Sequence, residues 1–185
     1  MISALGNRIE RFFVAIGQYG ILLYQSFRSL ADIRLYYKNL FDQMVRIGVE
    51  ALPIVMMAAA FSGAVTTVQT AHQLVSPFIP KTIIGSIVVP SMILELGVVV
   101  TAFILAARVG ARIAAELGTM RISEQIDALE AMGLNSVSYL VVPRVLAGVI
   151  MFPVLYIAAA SVGIGGGVLV AELSGYLSPA EFISG

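Results

Sequence analysis

Three runs of apolar residues dominate the chain. Ala51 to Ala71 holds 21 residues without a formal charge, Ile83 to Ala107 holds 25 with Glu95 at its centre, and Val145 to Ala171 holds 27 with none. A helix needs about 20 predominantly apolar residues to cross a bilayer. Each run exceeds the length of an ordinary buried helix, so all three are read as transmembrane spans.

The N-terminal pattern differs. Phe12, Ile16, Tyr19, Leu23, Phe27 and Leu30 recur at spacings of three and four, while Arg11, Gln18, Gln25 and Arg28 fall largely elsewhere on the wheel. This predicts an amphipathic helix lying in the membrane surface. A signal peptide is the rival reading, because Arg8 and Arg11 precede an apolar stretch, but no small-x-small cleavage site follows it. Residues 1–45 are therefore taken as an interfacial helix and linker, and 46–185 as one membrane domain.

Between the second and third runs the period changes. Arg108, Arg112 and Glu116 stand at i, i+4 and i+8, which predicts that the second helix continues past the membrane with those side chains on one face. Gly118 offers a stop. Ser123 is the expected N-cap of a short helix over 123–133, with Glu124 and Asp127 in its first turn and Gly133 at its end. Ile126, Leu129 and Met132 form an apolar stripe on it, and Glu124, Asp127 and Glu130 an acidic one. Such a helix is either a connector resting on its own bundle or a knob that docks into a soluble partner.

Charge supplies the orientation. Of eleven basic residues, six (Arg8, Arg11, Arg28, Arg34, Lys38, Arg46) precede the first run and four (Arg108, Arg112, Arg121, Arg144) lie between the second and third, leaving Lys81 alone between the first and second. The positive-inside rule then puts the N-terminus and the 108–144 segment in the cytoplasm and the 72–82 loop outside. Ser178-Pro179-Ala180-Glu181 reads as the start of a further helix, so the chain is expected to be C-terminally incomplete. An apolar content of 59% against 12% charged excludes a soluble domain of this size, and a net charge of zero argues against a nucleic-acid partner. With no cysteine, a single histidine (His72, read with Gln73 as merely interfacial), no Walker motif and no serine–histidine pair, neither a metal, a cofactor nor a catalytic centre is expected.

One stretch carries a family resemblance. Glu95-Leu-Gly97, then Ala106-Ala-Arg108-Val-Gly110-Ala-Arg-Ile-Ala-Ala-Glu116-Leu-Gly118-Thr-Met-Arg121-Ile-Ser-Glu124-Gln125-Ile-Asp-Ala-Leu129-Glu-Ala-Met132-Gly133, and further on Val142-Pro143-Arg144 and Ala147-Gly148, resemble the MlaE (YrbE) family of permeases. Asp127-Ala-Leu129 with Gly133 and Pro143 is also similar to the EAA loop of ABC importers. The resemblance covers roughly residues 38–175. It implies a homodimeric ABC transporter permease of the bacterial inner membrane, working with an ATP-hydrolysing subunit and an MCE-domain protein to move phospholipid or a related lipid between membranes. Chloroplast relatives serve lipid import. On this reading 123–133 is a cytoplasmic coupling helix whose Glu124, Asp127, Leu129 and Met132 dock on the ATPase, and Arg108, Arg112, Glu116 and Arg121 hold the inner loop in shape. ATP is bound by the partner. The chain departs from the family at Leu94 and Val98, where members usually have arginine and proline, and two further membrane helices of the family are missing. The expected fold is thus an all-α, multi-pass transmembrane bundle with an N-terminal interfacial helix and a cytoplasmic coupling helix.

Glu95 is the one charge inside a span. An ionised carboxylate at mid-bilayer costs about 2.5–3.5 kcal/mol on insertion scales, so such a residue faces a polar cavity, pairs, or is protonated. It is read either as a clamp between helices or as a residue of a lipid cavity; in an alternative function, an ion- or proton-coupled carrier, it binds the coupling ion. A scaffold that anchors soluble partners is a third possibility. Pro90 and Pro153 deprive the carbonyls of Ser86 and Val149 of helical partners and predict kinks. Ala159, Gly163 and Gly167, with Gly165 and Gly166 beside them, predict close helix packing, within the chain or at a dimer seam; Ala58–Ala60 and Ser62-Gly63 do the same.

Overall fold

The computed structural model of the chain describes residues 2–29, 33–74, 80–133 and 136–184. These form α1 (Ile2–Ser29), α2 (Ile33–Ile47), a 3-10 turn (Val49–Ala51), α3 (Leu52–Gln73), α4 (Ile83–Ser91), a wide π turn (Met92–Leu96), α5 (Gly97–Ile122), α6 (Gln125–Ala131), α7 (Ser136–Leu173) and α8 (Pro179–Ser184), with no strand among the described residues. Three helical stretches, Tyr37–Gln73, Ile83–Ile122 and Tyr139–Leu173, are long and apolar enough to cross a membrane, and each contains one of the three runs. The chain divides into two compact units, one of Met1–Gln43 with Leu117–Ala147, the other of Met44–Glu116 with Gly148–Gly185.

In the second unit α3 and α7 meet along a seam of small residues. The buried face of α3 is Val55, Ala59, Gly63, Thr67 and Thr70, spaced so that all fall on one side of the helix. A Cβ on Gly63 would strike the carbonyl of Gly163, one on Gly166 the carbonyl of Ala60, and one on Gly167 would lie 2.8 Å from the Thr67 hydroxyl. The glycine-rich run therefore packs within the chain, except Gly165, which faces open space. Hydroxyls on these helices bond their own backbone, as in Thr67 Oγ1 to the Gly63 carbonyl at 2.9 Å and Thr101 Oγ1 to the Gly97 carbonyl at 2.7 Å. That removes the cost of a bare hydroxyl in hydrocarbon.

A second cluster joins α4 to the C-terminal segment through Ile84, Val88, Met92, Ala171, Leu177 and Phe182. Gly85 makes room for the backbone of Phe182. The expected start of α8 is present: the Ser178 N–H donates to Glu181 Oε2 at 2.9 Å, and the Glu181 N–H points back at Ser178 Oγ at 3.4 Å. This is a capping box. The Ser178 backbone N–H first, and then the Ser178 hydroxyl, which also donates to Glu181 Oε2 at 2.7 Å, hold the Glu181 carboxyl below its usual range.

Several boundaries move. Gly118 does not end the second span's helix; α5 runs on to Ile122, because one exposed glycine costs a helix only about 1 kcal/mol. Ser123 is not an N-cap. Its hydroxyl donates backward to the Thr119 carbonyl at 2.8 Å, satisfying the end of α5, and the residue entering α6 is Glu124. Gly133 closes α6 as expected, at φ +76°. Pro90 is followed by the wide turn, whereas α7 passes through Pro153 unbroken. Arg144, expected in the inner loop, lies inside α7, which starts nine residues ahead of the apolar run, and is only 6% exposed.

In the first unit, α2 was not foreseen as a helix. Asn39 Nδ2 donates to the Tyr139 carbonyl at 3.0 Å, and Gln43, Leu140 and Val142 are buried. On α1, Ile16, Tyr19 and Leu23 are exposed as their stripe predicts, but so are Phe13, Val14, Ile21 and Tyr24. The side chains of Arg8, Arg11, Phe12, Gln25, Phe27, Leu30 and Arg34, and residues 75–79 of the 72–82 loop, lie outside the described residues.

Candidate functional site

Glu95 sits on the wide turn. There the Gly97 N–H reaches back five residues to the Met92 carbonyl. Changing from a five-residue to a four-residue repeat leaves a carbonyl outside the ladder, and the carbonyl of Ile93 accepts the hydroxyl of Tyr156 at 2.5 Å. Met92 is fully buried while Ile93, Leu94 and Glu95 are exposed on the single chain. Among the described residues Glu95 makes no ion pair, in keeping with spans that hold no lysine or arginine. On the same unit, Ala64, Val65, Val68, Gln69, His72 and Val170 line an open groove of about 530 Å3. Its wall is apolar, with the Gln69 amide and the His72 ring at one end. His72 Nδ1 is engaged with the Val68 carbonyl at 2.9 Å, which leaves Nε2 as its other polar atom.

Arg108, Arg112 and Glu116 do share a face of α5, and that face is paired. Glu50 contacts Arg112 at 2.5 Å and Arg108 at 4.0 Å, and Arg46 contacts Glu116 at 3.5 Å. Arg46 and Glu50 are themselves four residues apart, so the two stripes run antiparallel with matched signs. The bond from Arg112, then the charges of Arg112, Arg108 and Arg46, hold the Glu50 carboxyl below its usual range. Between the two residues Gly48 lies against Met151, where any Cβ would collide. The joint between α2 and α3 is thus clasped to α5 by charge and to α7 by contact.

The segment from Arg121 to Gly133 belongs to the other compact unit. Glu124 has φ +56°, a left-handed backbone that is uncommon for a residue with a Cβ. Arg121 Nη1 donates to Asp127 Oδ1 at 2.7 Å, bridging that turn, and Ser136 Oγ donates to Glu130 at 2.8 Å. Glu124 and Met132 are exposed and Leu129 is half-buried. Of the four residues expected to dock, Asp127 is therefore already occupied by Arg121.

Comparison with known proteins shows the family. Residues 40–185 match the family model of permease MlaE. The chain belongs to the MlaE permease family. A "Probable ABC transporter permease protein" of Rickettsia bellii is 36% identical over 99% of this chain and 75% of its own length. The "Intermembrane phospholipid transport system permease protein MlaE" of Haemophilus influenzae is 38% identical over 91% of this chain and 64% of its length. A probable ABC transporter permease of Synechocystis is 36% identical over 86% and 60%. The chain is thus a membrane protein of an ABC transporter permease family, and it spans 60–75% of the length of these relatives.

Within this MlaE-type chain, sequence reasoning missed four residues. Glu50 and Arg46 complete the ladder whose other half was read from its spacing; their own four-residue spacing was the available signal. Tyr156 is one of two hydroxyl-bearing residues in the third apolar run, with Ser161, and stands three residues after a proline. Ile122 falls between the expected stop at Gly118 and the expected cap at Ser123 and has no assignment from the pattern, although an isoleucine between Arg121 and Ser123 stands out in a polar connector.

Proposed function

We propose that the chain is the permease subunit of an ABC transporter that moves phospholipid, or a related lipid, between membranes, driven by a separate ATPase. Membership of the MlaE family carries this reading, together with the phospholipid-transport name of the Haemophilus relative. In it, two copies of the chain pair in the bacterial inner membrane with the N-terminus and α6 in the cytoplasm and α1 in the membrane surface. An MCE-domain protein exchanges lipid with the pair on the far side.

The residues divide the work. Glu124, Asp127, Leu129 and Met132 meet the ATPase, and its closure on ATP moves α6. Because α5 runs unbroken from Ile122 to Gly97, it carries that movement to the wide turn as a lever. The ladder of Arg46, Glu50, Arg108, Arg112 and Glu116 makes the base of α3 follow. Glu95 on the wide turn faces the lipid cavity and senses the headgroup, and the groove below Gln69 and His72 offers an apolar wall with a polar rim to one lipid. The chain does no covalent chemistry; ATP belongs to the partner.

Glu95 also favours a second reading, a carrier driven by protons or ions, since it is an acid in mid-span with no ion pair among the described residues. The two separate in one experiment. Leu129→Asp removes the co-purifying ATPase and abolishes transport in the first reading, while Glu95→Ala keeps normal protein levels with weakened lipid transport. Transport that survives loss of the ATPase and follows a proton gradient overturns the first reading in favour of the second.

A further inference from the structure

Within the first compact unit a pocket of about 250 Å3 opens between α1 and α7. Leu22, Leu23 and Ser26 form one wall and Val141, Val145 and Leu146 the other. Among the described residues that line it Ser26 is the only polar one, and its hydroxyl is shut off from water without a hydrogen-bond partner. Elsewhere such groups close on their own helix: Thr67, Thr101 and Ser161 each donate to the carbonyl four residues back. A buried hydroxyl left bare is costly, so Ser26 points to an occupant that brings an acceptor. Water is a poor fit, since a buried water needs about two to four polar partners and this wall has one.

The place of the pocket along the chain narrows the choice. Val145 begins the third apolar run and Val141 precedes it, so the pocket straddles the level at which a span leaves the hydrocarbon. A helix lying in the membrane surface, as α1 is read, sinks its apolar face about 5–10 Å, to the boundary of headgroup and acyl chain. The acceptors at that level are the ester carbonyls of phospholipid. The volume falls below the about 300–1,000 Å3 of sites that enclose a drug-sized molecule, so it suits one acyl chain rather than a whole lipid. Residues 1–43 carry five bases (Arg8, Arg11, Arg28, Arg34, Lys38) against three acids (Glu10, Asp32, Asp42), a balance that favours an anionic headgroup.

We propose that this pocket is a resident-lipid site. It holds one acyl chain of an anionic phospholipid from the leaflet in which α1 lies, and the Ser26 hydroxyl donates to the ester carbonyl of that chain. The bound chain fills the space between α1 and α7 and fastens the two helices. This lipid is not cargo: Glu95 and the groove at Gln69 and His72 belong to the other compact unit. The proposal rests on the reading that lays α1 in the membrane surface and is independent of what drives transport.

The test uses the purified full chain in nanodiscs of phosphatidylglycerol that carries a diazirine on one acyl chain. After illumination, peptide mapping is expected to find label concentrated on 22–26 and 141–146. Ser26→Ala is expected to lower that label about three- to tenfold, and Val145→Trp, at a position 59% exposed, to abolish it. Label at Phe13 and Ile16, exposed elsewhere on α1, is expected to stay unchanged in both. Melting midpoints separate a ligand contact from a merely structural one. In an empty pocket, removing a bare hydroxyl raises stability; in the proposed site Ser26→Ala instead shrinks the rise in midpoint that added phosphatidylglycerol gives the wild type. Label at Phe13 and Ile16 without enrichment at the pocket, or equal pocket label in Ser26→Ala, overturns the site and leaves the surface helix standing. No label anywhere on α1 overturns both.

Discussion

The hydroxyl of Tyr156 in α7 donates to the carbonyl of Ile93, two residues before Glu95, at 2.5 Å. One bond therefore ties the third span to the irregular turn of the second. Gly97 closes the same turn, since a Cβ there would collide with the Met92 carbonyl. Tyr156→Phe removes only the hydroxyl and leaves a carbonyl unpaired in an apolar setting, at a cost of about 1 kcal/mol. Thermal unfolding in lipid nanodiscs is expected to show that loss, and a cysteine at position 95 to change its labelling rate by a water-soluble reagent. A stability and labelling rate equal to wild type means that the turn holds without Tyr156.

The glycines of the seam are not equivalent. On Gly63 a new methyl meets rigid backbone at Gly163, whereas on Gly163 it meets first the movable end of Met92. Gly63→Ala is expected to lose about 1–3 kcal/mol or more, Gly163→Ala less, and Gly165→Ala, which opens onto free space in mid-helix, to lose nothing and gain up to about 1 kcal/mol. Melting midpoints of the three purified variants rank them. The reverse order, or three equal losses, excludes the packing described.

Much of this was legible in the sequence because the physics was local. Length and apolarity gave the three spans, four-residue spacing gave the face of Arg108, Arg112 and Glu116, and Ser178-Pro179 gave α8. What the pattern concealed depends on partners distant in the chain. Nothing near Glu116 names Arg46 as its counter-ion. Glycine spacing declares close packing without saying against what, and α3 proved to be one answer. In α2 the usual logic is inverted: Tyr37, Phe41 and Val45 are exposed while Gln43 is buried. A rule that seeks an inward apolar stripe misses a helix whose outward one suits lipid. A left-handed glutamate at 124 has no local sequence signal at all.

The ladder around Glu50 carries a pH signature. The arginines lower its folded-state pKa below the unfolded value, so its stabilisation is complete above the ordinary carboxylate range and is lost as pH falls through the folded value. Melting midpoints of wild type and Glu50→Gln are expected to differ at pH 7 and to converge as the pH falls below the ordinary carboxylate range. High salt is expected to narrow the gap too, since these charges are exposed. A gap that persists or widens in acid contradicts the pairing.

Glu124 separates backbone from charge. Glu124→Gly relieves a left-handed residue and is expected to preserve or raise stability by up to about 1 kcal/mol. Glu124→Val keeps the strain, adds a branched Cβ and is expected to loosen the turn. Hydrogen exchange at the amides of 125–131 reads the difference: protection kept in the glycine variant and reduced in the valine one. Equal protection in both means the turn is not constrained at 124.

The most direct measurement is lipid movement itself, in liposomes holding this permease with its ATPase and a fluorescent phospholipid. Transport is expected to start on addition of ATP, to stop with a non-hydrolysable analogue or with Leu129→Asp, and to ignore a proton gradient. Transport that proceeds without nucleotide and tracks the gradient, or none in the complete assembly, contradicts an ATP-driven lipid permease.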